Sequence, residues 1–145
     1  MRIWKTEATL DGLNAMQERT INGRIGIEIT DIGDDFLAGT MPVDARTHQP
    51  MGILHGGASV VLAETLGSMA ASLCVPPGAG CVGLDINANH IRSVRSGTVT
   101  GVARPTHLGR STQVWEIRIE DEQGRLVCIS RLTVAVLTGD RSSAG

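Results

Sequence analysis

Residues 54–74, LHGGASVVLAETLGSMAASLC, constrain this chain more than any other stretch. The run is apolar along nearly its whole length, opens with His55, Gly56 and Gly57, and carries one carboxylate, Glu64. Between Thr47 and Leu84 no other residue is formally charged. Val60, Val61, Leu62, Leu66, Met69, Ala70 and Leu73 cover most of a helix circumference, and a helix apolar nearly all round is buried on most sides. The run therefore predicts a long central helix that starts near Gly57. It should stop before Pro76, because proline disfavours helix in the residue before it. A lone carboxylate buried in such an element is costly unless something compensates. Glu64 is thus expected to be either paired or functional.

The flanking pattern sets the fold class. Residues 9–18 read as a short helix, with Thr9 as N-cap and Leu10, Leu13, Ala15 and Met16 on its apolar side. In residues 23–32, Ile25, Ile27 and Ile29 alternate with Gly26, Glu28 and Thr30, which predicts a half-buried strand. A second strand covers residues 36–43, and the polar residues 44–52 form a loop. Four more strand-like runs follow the helix, at residues 81–90, 98–105, 112–120 and 125–137. Trp115, Ile117 and Ile119 alternate with Glu116, Arg118 and Glu120, so the third of these has one buried face. The last is apolar on both faces and is expected to lie centrally in its sheet. Between those two, Asp121 to Gly124 predicts a hairpin turn. Two strands, one long helix and four strands make an α+β protein, an antiparallel sheet wrapped around one long central helix: the hot-dog fold. A single domain is expected over residues 1–138, with a flexible tail at 139–145.

Composition removes several function classes. Aromatic residues are only Trp4, Trp115 and Phe36, too few for stacking platforms on single-stranded nucleic acid. A formal net charge of −2 argues against a nucleic-acid partner as well. Cys74, Cys81 and Cys128 are odd in number and lack metal-ligand spacing, so they read as reduced thiols of a cytoplasmic protein. His48, His55, His90 and His107 show none of the short pairings of zinc sites, and no metal is expected. The N-terminus lacks the apolar run of a signal peptide, and Pro76, Pro77 and Gly78 interrupt the one long apolar segment, so no membrane span is expected.

Three features carry possible chemistry. Glu64 is either a carboxylate paired at a subunit contact or a general base or nucleophile in a dry site. Ser68 lies four residues on, on the same helix face, where it could bond Glu64 or orient a water. The glycines at His55-Gly56-Gly57 are either a simple helix start or a source of exposed backbone N–H groups for an oxyanion, with His55 and Gln49 as further donors. Gly56 and Glu64 are eight residues apart, about 12 Å along a helix. A reacting carbonyl must lie within roughly 3 Å of both the oxyanion donors and the attacking group. One helix cannot provide that, whereas two antiparallel copies in a homodimer can. Third, the stretch between Asp85 and Glu116 contains no acid but holds Arg92, Arg95, Arg104 and Arg110 with His90 and His107. That is either a solvated face or a site for a phosphorylated ligand.

The run Gln49–Ser68, QPMGILHGGASVVLAETLGS, closely resembles the hot-dog acyl-CoA thioesterases of the 4-hydroxybenzoyl-CoA thioesterase type with a helix glutamate. The resemblance extends through VGLDINANHIRSVRSG and PTHLGRSTQVW to the final strand. Within that family it looks most like the branch of bacterial dihydroxynaphthoyl-CoA thioesterases and of thioesterases that proofread aryl carrier proteins. It implies hydrolysis of aromatic or medium-chain acyl-CoA, and also of acyl or aryl carrier protein thioesters. Glu64 would attack the thioester carbon or activate the water that does. The Gly56 N–H would polarise the carbonyl, assisted by His55 and Gln49, with Ser68 near the water. Gly83, then His90, Ile91, Arg92 and Ser93, then His107, Leu108, Gly109, Arg110, Ser111 and Thr112 would hold the pantetheine and phosphates of CoA. Met69 and Leu73 would shape the acyl pocket. A homotetramer built as a dimer of dimers is implied, with no cofactor.

Two other readings share the fold. An enoyl-CoA hydratase or dehydratase would use a histidine with a carboxylate, and a non-catalytic acyl-CoA binding module would keep the arginine-rich face without needing Glu64, Gln49 and His55.

Overall fold

Eighteen consecutive residues, Gly56–Leu73, form the helix around which the chain is built. The computed structural model describes residues 1–137; the tail expected at 139–145 lies outside the described residues. Two short helices precede the sheet, α1 at Leu10–Ala15 and α2 at Ile21–Arg24, and the long helix is α3. The strands are β1 (Glu28–Ile32), β2 (Leu37–Pro42), β3 (Gly80–His90), β4 (Thr98–Leu108), β5 (Thr112–Glu120) and β6 (Leu126–Leu137). They form one antiparallel sheet in the order β1-β2-β4-β5-β6-β3. This is the hot-dog arrangement, with α3 packed against β2 through β6.

The core forms where α3 meets the sheet. Leu62, Ala63, Leu66, Ala70 and Ala71 are wholly buried on the helix, and Val99, Ala103, Trp115, Ile117, Ile119, Cys128 and Leu132 on the strands. Each leucine buried there contributes roughly 2 kcal/mol. The alternation of β5 is obeyed throughout, with Trp115, Ile117 and Ile119 all fully inside. Trp4 stacks on Trp115, with ring centroids 6.4 Å apart. Its indole N–H donates to the Gly33 carbonyl at 2.6 Å. That contact, with the Lys5 N–H to Leu73 carbonyl bond of 2.7 Å, straps the N-terminus across the end of α3. The turn between β5 and β6 is the expected one: Gly124 takes φ +76°, and its N–H donates to the Asp121 carbonyl at 3.0 Å.

Four expectations need correction. The strand read at residues 23–32 begins only at Glu28, because Thr20 caps α2 and Gly26 turns the chain at φ +82°. Tertiary contact fixes that start: the Asn14 side chain accepts from Ile29 N–H at 2.7 Å and donates to Ile29 C=O at 2.9 Å. The first helix is shorter than residues 9–18, and only Leu13 of its apolar side is buried, with Met16 70% exposed. Strand β6 has a neighbour on each side but stands next to the edge strand β3, not in the middle of the sheet. Most important, Glu64 is exposed in the single chain. The sheet covers one side of α3 and leaves Gly57, Val61, Glu64, Thr65, Ser68 and Ser72 open or half-covered. Apolar residues circle the helix, but one chain supplies only enough sheet for part of that circumference.

Candidate active site

The start of α3 is capped by a histidine. His55 has extended backbone angles, and its ring Nδ1 accepts the N–H of Gly57 at 2.8 Å. In the neutral ring the proton then sits on Nε2, which is left as the free donor. The His55 carbonyl takes the N–H groups of Ala58 and Ser59 at 3.0 and 3.2 Å. Of the first-turn N–H groups, only that of Gly56 has no partner among the described residues. It points from the positive end of an eighteen-residue helix. Such a donor is suited to an oxyanion.

A cleft of about 360 Å³ lies in front of it, lined by Gln49, Gly56, Ser59, His90, Arg92 and Ser93 among others. Its Gln49 wall is rigid: Gln49 N–H donates to Ile53 C=O, and the Gln49 side-chain oxygen accepts the N–H of Met51. That leaves the Gln49 amide NH2 as the unengaged end. His90 lies against Gly56 so closely that a methyl group there would stand 2.8 Å from the His90 Nε2. Glycine is the residue that fits.

Glu64 opens elsewhere. With Ser68 it lines a second cavity, of about 540 Å³, whose walls include Leu13, Met16, Ile21, Val61 and Met69. The Glu64 carboxylate makes no hydrogen bond or ion pair with the described residues, and no side-chain bond joins it to Ser68. Gly83 on β3 is its neighbour: a Cβ there would lie 3.4 Å from Glu64 Oε2. Met69 and Leu73 also line this cavity.

The segments matched to CoA binding divide in the same way. His90, Ile91, Arg92 and Ser93 line the Gly56 cleft at one end of β3. Register places Gly83 and Gln113 on either side of Val134, whereas His90 faces Cys128, level with Ile119. Thr112, and with it the turn His107-Leu108-Gly109-Arg110-Ser111, therefore sits at the Gly83 end of the sheet. Gly83 and His90 are seven positions apart, about 23 Å along a strand. One chain thus holds Gln49, His55, Gly56 and His90–Ser93 as one group, and Glu64, Ser68 and Gly83 as another, with His107–Thr112 at the Gly83 end of the sheet. Arg104 belongs to neither, since it pairs with Asp35 at 2.9 Å and lies 4.7 Å over the Phe36 ring. Arg92, Arg95 and Arg110 have no ion-pair partner among the described residues.

Sequence reasoning missed the wall built by α1 and α2. Leu13, Met16, Ile21 and Asn22 all line the Glu64 cavity. Asn22 accepts a hydrogen bond from the Thr65 hydroxyl across 43 positions of sequence, a contact that no local pattern signals. Ser59, 1% exposed and lining the Gly56 cleft, was hidden among the apolar residues of the helix.

Comparison with known proteins gives the family. The thioesterase superfamily model matches residues 51–128. A 1,4-dihydroxy-2-naphthoyl-CoA hydrolase of Escherichia coli is 58% identical over 93% of this chain and 99% of its own. The proofreading thioesterase EntH of Cronobacter turicensis is 57% identical over 93% of this chain and 98% of its own. Among solved structures, a thioesterase from Haemophilus influenzae superposes with a TM-score of 0.92 at 54% identity, over 93% of this chain and 94% of that one. These relatives match nearly the whole chain, and the protein belongs to the thioesterase superfamily as a thioester hydrolase of the hot-dog fold.

Proposed function

We propose that the protein hydrolyses acyl-CoA thioesters, with aromatic or medium-chain acyl groups, at sites shared between two copies of the chain. One observation carries this reading: the free Gly56 N–H and the Glu64 carboxylate lie on one helix but open onto different cavities. A second copy running antiparallel brings the Gly56 group of one chain to the Glu64 group of the other. Strand β3 supports such pairing, because its outer edge has no neighbour in the described sheet and Val82 and Leu84 are 46% and 61% exposed. The homodimer assembles further into a dimer of dimers. The same pantetheine arm would let carrier-protein thioesters enter. The enzyme works in the cytoplasm; no described helix is long and apolar enough to cross a membrane.

In the reaction, the thioester carbonyl oxygen accepts the Gly56 N–H, with the His55 Nε2–H and the Gln49 amide beside it. Glu64 then acts in one of two ways. As general base it takes a proton from water while the oxygen attacks the carbonyl carbon, and it returns the proton to the departing thiolate. As nucleophile it displaces the thiolate itself, forming an anhydride that water opens. Ser68 holds the water in either case. His90–Ser93 and His107–Thr112, one segment from each chain, hold pantetheine and phosphates.

A thiol-release assay on a panel of acyl-CoA substrates tests this. Glu64→Ala should lower turnover by about 10²–10⁴-fold while the variant keeps its fold by circular dichroism. Near-wild-type turnover would remove Glu64 from the chemistry.

A further inference from the structure

The cavity beside Glu64 is apolar on most of its walls but contains one prearranged amide. The Thr65 hydroxyl donates to Asn22 Oδ1 at 3.0 Å, which fixes the amide with its NH2 turned away from Thr65. Among the described residues that NH2 donates to nothing, although the Asn22 backbone N–H and C=O are both engaged, with Thr20 and Ile27. Both Asn22 and Thr65 line the cavity, and Thr65 directly follows Glu64. Nothing in hydrolysis at Glu64 requires this pair.

Water can satisfy the NH2 while the cavity is empty. An acyl group that fills the cavity expels that water, and the amide donor then needs a partner from the acyl group itself. A site built to donate a hydrogen bond rejects the analogue that lacks the acceptor, because its own polar group is left unpaired. We infer that Asn22, held by Thr65, is a specificity-determining residue that selects acyl groups carrying an oxygen acceptor, such as a ring hydroxyl or keto oxygen, over plain aromatic or aliphatic ones. The inference rests on the thioesterase reading and takes the Glu64 cavity as the acyl pocket.

The test measures kcat/KM for benzoyl-CoA and for its 2-, 3- and 4-hydroxy derivatives. Wild type should favour at least one hydroxybenzoyl isomer. Asn22→Leu should lower kcat/KM for that isomer by about tenfold to a hundredfold and change benzoyl-CoA by less than about threefold. Asn22→Asp is close to isosteric and keeps the acceptor for Thr65 while removing the NH2, so it should lose the same preference even if the leucine variant folds poorly. Thr65→Val should weaken the preference by freeing the amide. An unchanged substrate ratio in active Asn22 variants, or an equal fall on all four substrates, overturns the inference and leaves the hydrolytic reading standing. Hydrolysis of none of the thioesters by wild type overturns that reading, and the inference with it.

Discussion

Gly56 and Glu64 stand two turns apart on α3, yet the first faces the cleft of Gln49 and His90 and the second faces the cavity of Leu13 and Met69. Separation along a rigid helix is not adjustable by side-chain motion, so a shared carbonyl demands two chains. Mixing a Gly56 variant with a Glu64→Ala variant, each inactive alone, should restore part of the activity. Random exchange gives half the dimers one of each chain, and each such dimer has one intact site. Exchange followed by native mass spectrometry and thiol release is the measurement. Full exchange without recovered activity would rule out the composite site.

Proline at position 56 isolates the backbone donor. Gly56 is the first helical residue, where proline is tolerated because no intrahelical bond is lost. His55 already has the extended angles that precede proline, φ −68° and ψ 130°. Gly56→Ala is the control, since it crowds His90 but keeps the N–H. Turnover of Gly56→Pro should fall about 10²–10³-fold below that of Gly56→Ala. Equal activities would show that the N–H contributes nothing.

Asn14 joins α1 to β1 by bonding both the N–H and the C=O of Ile29, at 2.7 and 2.9 Å. Ile29 is 1% exposed, so neither group regains water easily. Asn14→Ala should therefore destabilise the fold by about 2 kcal/mol, seen as a lower urea midpoint. Asn14→Asp keeps the acceptor but loses the donor, and should fall between the two.

Burial pushes the Cys74 thiol up from its ordinary 9.0 to about 11. The fold therefore favours the protonated thiol. That contribution is complete below about pH 9 and is lost as pH rises through about 11. Unfolding followed from pH 8 to pH 11 should show wild type losing stability more steeply than Cys74→Ala. Parallel curves would mean that the thiol titrates alike in both states.

Much of the fold was legible in the residues because periodicity and punctuation act locally. The length of α3, its stop before Pro76, the one-sided strand at Trp115 and the turn at Gly124 all follow from neighbours within a few positions. The candidate site residues stood out for a related reason: a single carboxylate in an apolar helix and paired glycines at its start are departures from local pattern. The helix rise alone placed Gly56 and Glu64 too far apart to meet.

Tertiary structure decided the rest. Alternation at Ile25, Ile27 and Ile29 looked like one strand, but the Asn14 clip and the Gly26 turn delay β1 until Glu28. The pattern around α3 showed that most of its circumference is apolar, yet not which faces one sheet would cover, so Glu64 was expected buried and stands exposed. Strand order set His90–Ser93 and His107–Thr112 at opposite ends of the sheet within one chain. Contact over 43 positions carried Asn22 to Thr65. Periodicity records which side of an element is apolar; it holds no information about the distant residue that comes to lie against it. By itself the sequence determined the central helix, its lone acid and the glycines ahead of it, and the folded sheet alone decided that these open onto two separate cavities.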